Sequence, residues 1–120
     1  MDNFKTKQNL VLCGNHEYIV KVDQLYNKKI RYLCWKRPKT FLNAPDLILL
    51  NGEIKNPRKK GSLEIVFSCG TWIYTIEKIQ TKFTVHIFFE TKRNDGLCRT
   101  WKMSDLGSSN SLQSRLWLNS

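Results

Sequence analysis

The residues with the widest scope for chemistry in this 120-residue chain are four cysteines, Cys13, Cys34, Cys69 and Cys98, and two histidines, His16 and His86. Cys13 and His16 stand at a Cys-x-x-His spacing, at which a thiolate and an imidazole can share a zinc ion. No Cys-x-x-Cys pair accompanies them, so the remaining ligands have no local source. Cys34 and His16 have the residue types of a nucleophile and its base, although an inert buried thiol is the simpler reading of Cys34. There is no Gly-rich phosphate loop, Gly-x-Ser-x-Gly turn or His-Glu-x-x-His helix. The expectation is a non-enzymatic protein with no catalytic residues, no metal ion and no cofactor.

The second chemical feature is positive charge. Twenty Lys and Arg stand against ten Asp and Glu, a formal net charge of +10. Ten basic and five acidic residues precede residue 57, and the rest of the chain carries the same, so the charge belongs to the whole chain and not to a tail. Such a field attracts polyanions. It is densest at Lys28-Lys29-Ile30-Arg31, Lys36-Arg37-Pro38-Lys39, Arg58-Lys59-Lys60 and Lys92-Arg93. Tyr26, Tyr32 and Trp35 are interleaved with the first two segments, a combination suited to phosphate contact and base stacking. Contact with DNA or RNA through these residues is one functional reading; solvated charged loops are the other.

Hydrophobic residues make up 41% of the chain and fourteen residues are aromatic, enough to build a core. Apolar runs such as Leu47 to Leu50 are too short to span a bilayer, so no membrane partner is expected. The segment Met1 to Lys5 lacks the apolar stretch of a signal peptide, and free thiols in a reducing compartment are therefore expected.

The elements that must position these residues repeat at an offset of 56. Cys13-Gly14 returns as Cys69-Gly70, Tyr18 as Tyr74, and Lys36-Arg37 as Lys92-Arg93. Apolar positions correspond between them: Leu10 and Val11 with Val66 and Phe67, Val20 with Ile76, Tyr32-Leu33 with Phe88-Phe89. At this offset His16 meets Trp72 and Cys34 meets Glu90, so no ligand set recurs, which argues further against zinc. Residues 17–22, 31–35, 73–79 and 84–91 are rich in β-branched and aromatic side chains and predict strands. Asn43, Pro45 and Gly52 around Leu47 to Leu50 carry the signals of a helix start and stop. Ser108 to Ser111 followed by Leu112 and Leu116 predicts a second helix. Asn56 to Gly61 is a polar turn between the copies.

Glu17-Tyr18-Ile19-Val20-Lys21-Val22, Tyr74-Thr75-Ile76-Glu77-Lys78-Ile79, Tyr32-Leu33-Cys34-Trp35-Lys36, Thr100-Trp101 and Ala44-Pro45-Asp46-Leu47-Ile48 together resemble the motifs of the chromodomain and chromo shadow domain family. The resemblance implies an α+β, mostly β fold of two small SH3-like modules, chromodomain-like over 1–55 and chromodomain- or chromo-shadow-like over 62–120. Each module would be a three-stranded antiparallel sheet with a C-terminal helix. It also implies a partial aromatic cage of Tyr18 and Trp35, with Phe41 substituting where the third wall falls on Pro38. By the same resemblance, Leu112, Leu116, Trp117 and Leu118 form either core cover or the apolar face of a pairing helix. The function expected on this basis is a nuclear, chromatin-associated module that binds a chromatin protein or extended peptide through a sheet edge or the C-terminal helix, with homodimerisation open. Direct nucleic-acid binding is the alternative, and a viral antagonist or inhibitor a third reading.

Overall fold

Val85, Ile87 and Phe89 alternate with His86, Phe88 and Glu90, and in a strand that alternation sends the first set to one face. A computed structural model describes residues 5–56 and 60–107, and it builds this segment into a long strand whose Ile87 and Phe89 are buried. Nine strands follow one another: β1 Thr6–Gly14, β2 Tyr18–Leu25, β3 Ile30–Lys36, β4 Leu47–Leu49, β5 Glu53–Ile54, β6 Ser62–Cys69, β7 Trp72–Gln80, β8 Val85–Arg93 and β9 Cys98–Asp105.

They form one antiparallel sheet in the order β4-β3-β2-β1-β9-β8-β7-β6-β5. β9 closes onto β1 through Cys13 opposite Asp105 and Gly14 opposite Ser104. The two end strands, β4 and β5, lie on one run of chain separated by residues 50–52. There the Gly52 N–H donates to Ile30 O of β3 and the Asn51 amide donates to Ser68 O of β6. The sheet thus curls until its ends meet, and β4 with β5 acts as a single broken stave of a barrel. A barrel of this size has an interior just wide enough to be filled by side chains. Val11, Val22, Tyr32, Ile65, Phe67, Ile76, Ile87 and Met103 fill it, drawn from both halves of the sequence.

This corrects the expected fold class. Among the described residues there is no helix, and in place of two three-stranded modules with closing helices there is a single sheet. Each half presents one broad apolar face, and curling the halves together buries those faces against each other. The helix expected at residues 43–52 is a turn followed by β4 and β5. A helix of so few residues is marginal on its own, whereas Leu47 to Leu49 gain a ladder opposite Cys34, Leu33 and Tyr32. The capping residues serve the turn instead: Asn43 accepts from the Thr40 N–H, and Asp46 accepts from the Lys36 N–H. The second expected helix, at Leu112 and Leu116, lies outside the described residues.

Strand pairing also refines the internal repeat. Val20 lies opposite Cys34 and Ile76 opposite Phe89, so the offset of 56 on β2 and β7 falls to 55 on β3 and β8. Cys13 lies opposite Val20 but Ile65 opposite Ile76, so on β1 and β6 the offset is 52 and Cys13-Gly14 and Cys69-Gly70 are not equivalent. Leu47 lies opposite Cys34 and Trp101 opposite Phe89, an offset of 54. The ungapped alignment that matched Cys34 with Glu90 and Tyr32 with Phe88 is therefore one residue out beyond the β7–β8 hairpin.

Candidate functional site

Inward positions near the ends of β2, β3, β4, β7, β8 and β9 meet at one mouth of the barrel. By the corrected repeat they come in pairs: Tyr18 with Tyr74, Cys34 with Phe89, Lys36 with Thr91, Leu47 with Trp101. Together with Tyr32 and Asp46 they line a cavity of about 290 Å³. The second half supplies most of the aromatic wall and the first half most of the polar wall.

The aromatic rings form a continuous ladder. Tyr32 and Tyr74 lie parallel with centroids 5.8 Å apart, Phe89 and Trp101 stack at 5.2 Å, and the edge of Tyr18 meets Trp101 at 6.1 Å. Phe89 and Tyr32 are almost wholly buried, whereas Tyr18, Tyr74 and Trp101 are half-buried and meet the opening. The indole N–H of Trp101 is buried without a hydrogen-bond partner among the described residues. An unsatisfied buried donor costs about 1–3 kcal/mol.

The Arg99 guanidinium lies 4.4 Å from the centre of the Trp101 ring and is held at the rim by Glu17 at 3.2 Å. Arg93 lies over Trp72 at 5.6 Å and pairs with Asp95 at 2.6 Å, while Lys39 pairs with Asp46 at 2.6 Å. Each rim carboxylate is thereby matched. Hydrogen bonds from the Lys36 backbone N–H, then from the Lys39 ammonium, hold the Asp46 carboxyl below the usual range. Lys36, in the cavity wall, has no carboxylate in ion-pairing reach among the described residues, so the mouth retains net positive charge. Arg37 and Lys92 stand at the same end but on the outer face, Arg37 donating to Asn15 O.

The sequence-read residues distribute as follows. Tyr18 is in the mouth, but Trp35 and Phe41 pack on each other at 5.0 Å on the outer face of the sheet, with Ile19, Leu33 and Leu106. The three do not converge. Trp35 donates its indole N–H to Asn43 O, which fixes it there. Lys36, Arg37, Lys39, Lys92 and Arg93 gather at the mouth end, while Lys28 and Lys29 sit in the β2–β3 turn and Lys60 before β6, at the opposite end. Arg31 is drawn into a buried ion pair with Asp23. Arg58 and Lys59, like Leu112, Leu116, Trp117 and Leu118, lie outside the described residues. In the sequence Tyr32 reads as a stacking aromatic beside a basic segment; Tyr74, Phe89 and Trp101 are legible as sheet-packing residues but not as a site. The signal that finds them is inward parity on strands that end together.

Compared with protein-family models, curated proteins and solved structures, the chain matches none.

His16 is exposed in the β1–β2 turn, its side chain 88% accessible, whereas Cys13 is buried. Burial, reinforced by Asp105, pushes the Cys13 thiol up to about 12. Burial also raises Cys34, although a hydrogen bond with Tyr32 opposes it. Because the thiolate is the reactive form, iodoacetamide at neutral pH is expected to label exposed Cys98 first. Cys13 should follow only on unfolding, and mass spectrometry of partly labelled protein reads the order. Early labelling of Cys13 would contradict the barrel interior.

Proposed function

We propose that this protein is a non-enzymatic nucleic-acid-binding protein that takes the bases of a single strand into the aromatic mouth of its barrel. The observation that carries this reading is the mouth itself: half-buried Tyr18, Tyr74 and Trp101, with the Lys36 ammonium in the cavity wall. Aromatic faces stack any base, each worth about 1–3 kcal/mol, while surrounding cations hold the phosphates. The net charge of +10 draws the strand in.

Titrating a labelled single strand and its duplex into the full chain tests the reading. About three phosphate contacts predict a slope of about −2 in log affinity against log salt for the single strand. The duplex should bind more weakly because its bases are stacked and paired. Trp101→Ala should weaken single-strand binding by about tenfold, and Lys36→Glu should weaken it while flattening the salt slope. Absence of single-strand binding at low salt, or equal affinity for duplex, would reject the proposal.

A further inference from the structure

The cavity behind the mouth does not stand alone. Beside it, toward the β8–β9 hairpin, lies a second hollow of about 400 Å³ lined by Trp72, Leu97, Cys98 and Arg99. The two share three wall residues, Tyr18, Thr91 and Trp101. Tyr74 and Phe89 belong only to the inner lobe, and Trp72 and Arg99 only to the outer. Trp101 therefore stands as a partition: Phe89 stacks against its ring at 5.2 Å, and the Arg99 guanidinium lies 4.4 Å from its centre.

Resting on the single-strand reading above, we infer that the mouth holds two successive bases of one strand, one in each lobe, with Trp101 between them. Each lobe offers a base a planar surface. In the inner lobe it is Tyr74; in the outer it is Trp72 or the flat guanidinium of Arg99, a group on which bases stack as they do on aromatics. Arg99 is 61% exposed and its one ion pair among the described residues is with Glu17 at 3.2 Å, so it can swing from Trp101 to admit a base while keeping its charge beside the strand. Leu97, 54% exposed at the hairpin tip, extends the apolar floor of the outer lobe. The connecting phosphate would then cross the shared wall, where the Thr91 hydroxyl is a donor and Lys36, lining the inner lobe, is the nearest cation without a carboxylate partner.

The footprint is tested by length. Thymidine 5′-monophosphate and the 5′-phosphorylated di-, tri- and tetrathymidylates are titrated into the full chain at one low salt concentration, by calorimetry. Affinity is expected to rise about tenfold or more from one nucleotide to two, the gain of a second stacked base. From two to four it should rise by no more than about threefold in total, the added phosphates acting only through the diffuse field. Trp72→Ala and, as a change of an exposed residue that leaves the core intact, Arg99→Ala should each reduce dinucleotide affinity about tenfold more than mononucleotide affinity. Tyr74→Ala should reduce both alike. Equal affinity for one nucleotide and two, or a continuing tenfold climb with each added nucleotide, would overturn the two-base footprint while leaving single-strand binding in place. Failure of every oligonucleotide to bind would overturn both.

Discussion

Replacing Asp23 with Leu is expected to lower the free energy of unfolding by about 3–5 kcal/mol, the cost of leaving one member of a buried ion pair without the other. Asp23 is fully buried beside the outer face of the sheet, the sole charged residue in the buried set of the described chain. Its two oxygens accept from the Nε and Nη2 of Arg31 at 3.0 and 2.7 Å, and the Thr6 hydroxyl adds a third hydrogen bond. Lys21 lies 3.9 Å away. The carboxylate thus ties β1, β2 and β3 together at the end of the barrel opposite the mouth, in a protein with few acids to spare. Removing it takes the carboxylate from both Arg31, whose side chain is 15% exposed, and Lys21. The double replacement Asp23→Leu with Arg31→Met should recover most of the loss, since an apolar pair of similar volume avoids the desolvation penalty altogether. Urea denaturation of the two variants decides the matter. A single-variant cost under about 1 kcal/mol would mean that both charges reach water, as exposed pairs do.

Arg31 also shows why a charge run in sequence is a poor map of a binding surface. Lys28, Lys29 and Arg31 are adjacent in the chain, yet two sit in a turn and the third is spent on Asp23. What the sequence makes legible is face parity within one strand. Val85, Ile87 and Phe89 announce an inward face, and Tyr18 and Tyr74, Val20 and Ile76 announce that two such strands are related. The ends of strands and their partners are not encoded locally. Leu47 to Leu50 is a short apolar run that helix and strand fit equally; the ladder with β3 decides it, and that ladder requires β3 to be in place. The β7–β8 hairpin turns in one residue fewer than its counterpart, which shifts every later equivalence and conceals that Leu47 and Trp101 face the same cavity. The cage of Tyr18, Trp35 and Phe41 fails for the same reason. Tyr18 pairs with Lys36, so Trp35 must face the other way, and only the register says so. Closure of the sheet is the least legible feature, because it depends on residues 50–52 touching β3 and β6 at once.

That closure carries the second large prediction. Phe67 is fully buried, tilted against Tyr32 at 5.4 Å, and lies where the broken stave crosses from β3 to β6. Phe67→Ala should cost about 3–5 kcal/mol, the transfer loss plus the cavity left in a rigid barrel. Gly52 sits against the same ring. A Cβ at that position would come within 2.6 Å of both Ile30 and the Phe67 ring, so Gly52→Ala forces the stave off β3. Overpacking of this kind costs about 1–3 kcal/mol. The two effects should not add. With Phe67 truncated, one of the two obstacles is gone and the added methyl enters the void, leaving only the clash with Ile30. Gly52→Ala is therefore expected to cost less in the Phe67→Ala background than in the wild type. Urea denaturation of the four proteins measures the coupling. Additivity within about 0.5 kcal/mol would place the two residues out of contact and separate the edges of the sheet.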